Sequence, residues 1–104
     1  AQKYPSFLLR FFTENEISLC RRKSSFYASL AARFAAKEAI SKALGLNLFS
    51  LCWQEIEILA DTQGRPCVLF HGTMQKQIEQ AQITKVMISL SHSQQMAIAM
   101  ATVE

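Results

Sequence analysis

The chain has 104 residues, half of them hydrophobic, with three Gly, two Pro and a formal net charge of +3. That is the size and composition of one globular domain with a small core, and it excludes an intrinsically disordered segment. No apolar run reaches the roughly 20 residues that span a bilayer, and Cys20, Cys52 and Cys67 are too few and too widely spaced for a disulfide framework or a zinc site, which fits a reducing cytoplasm.

The elements follow in chain order. Residues 5–12, which are apolar around Arg10, predict a short helix. Thr13 with Glu16 three residues on predicts a capping box that opens a second helix, running to Lys23 before Ser24 and Ser25 break it. Ser29 to Leu44 is rich in Ala and Leu, has no Gly or Pro, and meets a stop at Gly45, so it predicts the longest helix. At about 100° per residue, Ala32, Ala35, Ala36, Ala39 and Ala43 share one side, and Leu30, Phe34, Ile40 and Leu44 the other. Arg33 and Lys37 fall in the bulky apolar sector, where an unpaired charge is costly and a partner is expected. Trp53 to Leu59 alternates Ile56 and Ile58 with Glu55 and Glu57, which predicts a half-buried strand. Asp61 to Gly64 reads as a turn into a second strand, Cys67 to Phe70. Residues 73–81 predict a short helix. Val86 to Leu90 and Met96 to Val103 predict two more strands joined by a turn at Ser91 to Gln94. In the last strand Ala97, Ala99 and Ala101 share a face suited to the alanine side of the long helix. The class is α+β: N-terminal helices and one long central helix packed on an antiparallel sheet.

The charge is uneven. Residues 1–45 carry eight Lys/Arg against three acids, net +5, and residues 46–104 carry three against five, net −2. A basic half points to an anionic partner: a nucleotide, a nucleic acid or an acidic protein. Arg33, Lys37, Glu38 and Lys42 put three cations and a carboxylate on one rigid helix. Such a set can hold a polyphosphate and a divalent metal, since phosphates take Arg or Lys donors and magnesium takes hard oxygens plus substrate phosphate. On spacing alone, the competing expectation is an ordinary surface ion pair between Glu38 and Lys42. His92 lies in the predicted turn between strands and His71 stands just before Gly72, positions from which an imidazole can face a cleft or solvent.

Ala31 to Gly45, AARFAAKEAISKALG, resembles the signature of the holo-[acyl-carrier-protein] synthases, the short phosphopantetheinyl transferases, close to (A/G)RFAAKEAxxKAxG. Further resemblances follow in order: Arg10 to Glu16, Trp53 to Glu57 with Gly64 to Pro66, Ser89 to Ser93, and the alanine-rich end. They cover nearly the whole chain. The resemblance implies a single phosphopantetheinyl transferase domain over 1–104. It implies transfer of 4′-phosphopantetheine from coenzyme A to a serine of apo-acyl carrier protein, with Mg²⁺ required and adenosine 3′,5′-bisphosphate released. It implies Glu38 as a magnesium ligand and Lys42 beside the diphosphate. Arg33 and Lys37 would contact the phosphates of coenzyme A, and Gly45, His92 and Ser93 would form its pocket. Arg10 would meet the carrier protein. Similar enzymes are homotrimers with active sites between subunits. The chain's own residues lead to the expectation of a cytoplasmic protein with neither nucleic acid nor membrane as a partner.

Two departures stand out. The family opens on a strand whose Asp is the second magnesium ligand. Here the sequence starts about where that strand would end, and Asp61 is its one Asp. The expectation is that further residues precede Ala1, and that residues 1–104 alone bind magnesium weakly and transfer poorly. Gly45-Leu46-Asn47 stands where the family has Gly-Thr-Gly, and Asn tolerates a left-handed backbone. The alternative function is a carrier-binding module of the same fold without transfer. Nucleic-acid binding through Arg21, Arg22 and Lys23 lacks interleaved aromatics and a motif.

Overall fold

The computed structural model describes residues 4–23, 25–47, 51–92 and 97–103; for 91–92, 97–100 and 102–103 it describes the backbone alone. Three helices come first: α1 (Ser6–Leu9), α2 (Glu14–Arg21) and α3 (Phe26–Ala43). A 3₁₀ turn (Trp53–Glu55) leads into β1 (Ile56–Ala60) and β2 (Pro66–Phe70), then α4 (Gly72–Gln80), β3 (Val86–His92) and β4 (Ala97–Val103). Both strand pairs are antiparallel hairpins, Ile56 opposite Phe70 in one and Val86 opposite Val103 in the other. The sheet is therefore two ladders, with β2 lying beside β3.

Local chemistry accounts for the helix ends. Thr13 Oγ1 accepts from Glu16 N at 3.1 Å while Glu16 Oε1 accepts from Thr13 N at 2.9 Å, the reciprocal capping box. Helix α2 stops at Arg21, two residues earlier than its sequence suggests. Helix α3 begins at Phe26, a turn earlier, because its first turn packs Phe26 and Leu30 on the α1–α2 cluster. It ends where Gly45 turns left-handed (φ +72°), so that Leu46 N reaches Ser41 O at 2.8 Å and Gly45 N reaches Lys42 O at 3.1 Å. This is a Schellman closure, which satisfies two orphan carbonyls. The left-handed residue is Gly45; Asn47 does not adopt that conformation.

Helix α3 is the axis of the fold. Its buried Ala36 and Ile40 join Ile56, Ile58 and Met74 in one core, with Ala101 of β4 packed against them. Leu30 and Phe34 face a second core of Tyr4, Leu8, Phe12, Ile17 and Cys20. The helix lies chiefly along β4 and β3, as a methyl-lined side permits.

Helix α4 opens at Gly72, whose φ is +58°. A Cβ there would stand 2.8 Å from Glu55 Oε2, while Glu55 Oε1 accepts from Met74 N at 2.9 Å. Gly72→Ala therefore adds left-handed strain of about 1–2 kcal/mol and pushes on the carboxylate that caps α4. The expected result is a fall in Tm of about 4–8 °C per kcal/mol lost, read by thermal unfolding.

Candidate active site

The long helix divides its charges between two environments. Lys37 is wholly buried. Its Nζ donates to Glu16 Oε1 at 2.7 Å, to Phe11 O at 2.7 Å and to Trp53 O at 3.0 Å, and it lies 5.1 Å from the centre of the Phe12 ring. An ammonium has three protons, so its donors are spent. Burial holds the Lys37 ammonium below its usual pKa, against the opposing pull of the Glu16 ion pair. The Lys37 nitrogen thus faces the interior, and its three hydrogen bonds are made within the chain rather than toward the solvent where a phosphate would approach. Glu16 is the partner that the apolar setting of Lys37 demanded. It is also wholly buried, and its second oxygen accepts from Ile58 N of β1 at 2.9 Å.

Arg33 is one turn from Lys37. Its Nε donates to Ile58 O at 3.3 Å and its Nη1 to Ser29 O at 3.2 Å. Glu16 and Arg33 thus occupy the N–H and C=O that Ile58 turns away from β2. Arg33 also borders a cleft of about 310 Å³ with Lys23, Ser29, Gly64, Pro66 and Leu90. Two cations and a hydroxyl in a cleft suit an anion.

Glu38 is half-buried and Lys42 exposed, and neither takes part in the ion pairs found among the described residues. The surface pair expected from their spacing does not form. At 3.6 residues per turn, Glu38 leaves the helix about 140° from Arg33, and Lys42 about 180° from it. The Arg33 cleft does not reach them. Gly45 lines a separate cleft of about 350 Å³ with Asn47, Cys52, Glu55 and Thr73. Arg10 is exposed at the end of α1, its guanidinium 5.8 Å from the Phe11 ring centre. His92 is in β3 opposite Ala97, but its side chain, like all of Ser93, lies outside the described residues.

Sequence spacing missed a second buried carboxylate. Glu57 is buried, so β1 is covered on both faces and the half-buried reading of its alternation fails. Thr13 Oγ1 donates to Glu57 Oε2, and His71 Nε2 lies 3.0 Å from Glu57 Oε1. His71 directly precedes α4 and is half-exposed. Burial pushes the Glu57 carboxyl up, but hydrogen bonds from Thr13, His71 and Asn15 outweigh it and hold the pKa below the usual range. The folded state then binds this proton less readily than the unfolded chain. The stability Glu57 contributes is full above the ordinary carboxylate pKa and is lost as pH falls through the depressed folded value. Thermal unfolding between about pH 6 and pH 3 should show Tm falling with pH, and Glu57→Gln should flatten that slope.

Among the described residues, no three His, Cys, Asp or Glu side chains gather as a metal cluster. Asp61 is held by Arg65, whose backbone N–H and side-chain Nε donate to it. Glu38 remains the carboxylate on α3 available to a cation. Magnesium fits it, because that ion takes one or two protein carboxylates and completes its shell with water and substrate phosphate. No helix among the described residues is long and apolar enough to cross a membrane.

The family model described as 4′-phosphopantetheinyl transferase superfamily matches residues 1–101. The holo-[acyl-carrier-protein] synthase of Moorella thermoacetica is 42% identical over 103 residues, spanning 99% of this chain and 80% of that protein. The crystal structure of the Neisseria meningitidis synthase superposes with a TM-score of 0.85 at 28% identity, covering 98% of this chain and 82% of that one. That of the Helicobacter pylori synthase in complex with coenzyme A gives 0.79 at 34% identity, covering 95% and 82%. Sequence and fold thus agree, and the chain belongs to the 4′-phosphopantetheinyl transferase superfamily.

Proposed function

We propose that the chain acts as a holo-[acyl-carrier-protein] synthase, moving 4′-phosphopantetheine from coenzyme A to a serine of apo-acyl carrier protein. The observation that carries this reading is the cleft beside α3, lined by Lys23 just before that helix and by Arg33 on it, the helix that also bears Glu38 and Lys42. The relatives named as synthases, one of them holding coenzyme A, support it.

The serine oxygen forms a bond to the β-phosphorus of coenzyme A as the bridging P–O bond breaks, and adenosine 3′,5′-bisphosphate departs. Mg²⁺, held by Glu38, would offset the diphosphate charge. The serine proton is relayed by Glu38 or by water touching it. Lys42 neutralises the phosphate that leaves. Lys23 and Arg33 bind a phosphate of the nucleotide end, and Gly45, from its separate cleft, would join His92 and Ser93 in contacting the nucleotide where copies of the chain adjoin. Arg10, exposed at the end of α1, meets the acidic carrier.

The angular separation on α3 supports a shared site. Arg33 and Glu38 point to nearly opposite sides, so one coenzyme A molecule meets both types of group most directly where two copies of the chain adjoin. A homotrimer with sites between subunits fits this. The test is intact-mass measurement of apo-carrier after incubation with the protein, coenzyme A and Mg²⁺: transfer adds the phosphopantetheine mass. A carrier that binds but keeps its mass would favour the non-catalytic module.

A further inference from the structure

We propose that Glu16 and Lys37 are positioning residues for transfer: their buried ion pair fixes the rotation of α3, and with it the direction in which Glu38 and Lys42 leave the helix. This rests on the transferase reading above.

The side of α3 that lies on the sheet is shaped by small side chains. Ala32 and Ala36 are fully buried, and methyl groups offer shallow ridges. Such a surface sets how close the helix comes more firmly than how it is turned. Directed bonds supply the missing constraint. Lys37 Nζ is tied to three separate segments: Phe11 O after α1, Glu16 of α2, and Trp53 O in the 3₁₀ turn. Glu16 carries the tie on to β1 through Ile58 N. No buried side-chain nitrogen or oxygen among the described residues lacks a partner, so this network is complete.

Stability alone does not explain such a pair. Well-packed apolar residues of similar volume in place of a buried ion pair are often neutral or stabilising. What an apolar pair lacks is direction. A helix with its side chains has a radius of about 5–6 Å, so a turn of about 10° moves a side-chain tip by about 1 Å. A displacement of that size costs on the order of 100-fold in rate. Glu38 directly follows Lys37, and Lys42 is five residues on, so both follow any rotation at Lys37.

The helix carries its own reporter. Trp53, the single tryptophan, stacks on Phe34 of α3 with ring centres 4.7 Å apart and planes at 27°, and its carbonyl accepts from Lys37. Near-ultraviolet circular dichroism of Trp53 therefore reads the placement of α3 without reference to activity.

Two variants make the test. Glu16→Asp keeps both charges and shortens the arm by one methylene. The double variant Glu16→Gln with Lys37→Met removes both charges together. Each is assayed at a temperature where far-ultraviolet dichroism shows it folded. The expected result is a fall in kcat on the order of 100-fold, with KM for coenzyme A within about threefold, and an altered Trp53 band. A kcat within about threefold of the parent overturns the proposal, as does a loss that merely tracks the unfolded fraction. A raised KM with kcat retained also overturns it, because it would make Lys37 a phosphate ligand. If the parent protein shows no transfer, the transferase reading fails by itself. The positioning role is then decided by Trp53, and an unchanged band in folded variants overturns it.

Discussion

Lys37→Ala is expected to lower folding stability by about 3–5 kcal/mol, the usual result of removing one partner from a buried ion pair. The loss has three parts. Glu16 becomes an uncompensated charge in the interior, with one oxygen still bound to Ile58 N. Phe11 O and Trp53 O lose their donor. A cavity opens where the lysine stem lay between the helices. Against a total stability of about 5–15 kcal/mol for a small protein, this leaves a marginal fold. Urea unfolding measures it directly. Lys42→Ala is the control: Lys42 is exposed, and surface substitutions of that kind usually change stability by no more than about 0.5 kcal/mol. Equal, small effects at both positions would mean that Lys37 is not buried in an ion pair and would restore its role as a phosphate contact.

Glu38→Gln should do the reverse, sparing stability and removing activity. Glu38 is half-buried, so its amide is accommodated without a buried orphan charge. The amide keeps an oxygen but loses the negative charge, on which cation binding depends. Metal assistance is worth several kcal/mol of transition-state stabilisation, and each 1.36 kcal/mol is tenfold in rate. The expected fall in transfer is therefore about 10²–10³-fold, with unchanged Tm and weakened dependence on Mg²⁺ concentration. Transfer by Glu38→Gln at the parent rate would remove Glu38 from the site.

Features set by near neighbours were legible in the sequence. The Thr13–Glu16 box, the Gly45 stop and the Asp61–Gly64 turn each depend on residues three or four apart, and each appears as its chemistry requires. The charged helix was recognisable too, and the 100° step already separates Arg33 from Glu38. The interior partners were not legible. Glu16 meets Lys37 across 21 residues, and Thr13 meets Glu57 across 44. Spacing rules describe one helix or one strand, and these bonds join different elements. Glu16 in particular looked complete as a cap, although a carboxylate has lone pairs enough for the cap, for Lys37 and for Ile58 N at once. Glu57 alternated correctly for a wet face, yet α2 covers that face. The apolar surroundings of Lys37 were the one usable clue: they demanded a partner without saying which.

Transfer of phosphopantetheine by this protein is read from the mass of the carrier. Apo-acyl carrier protein is incubated with the protein, coenzyme A and Mg²⁺, and its intact mass and the released nucleotide are measured together. The expected result is one phosphopantetheine gained on a carrier serine and an equal amount of adenosine 3′,5′-bisphosphate, both formed about 10²–10³-fold more slowly with Glu38→Gln. A carrier that binds the protein while keeping its apo mass, with no nucleotide released, would contradict it.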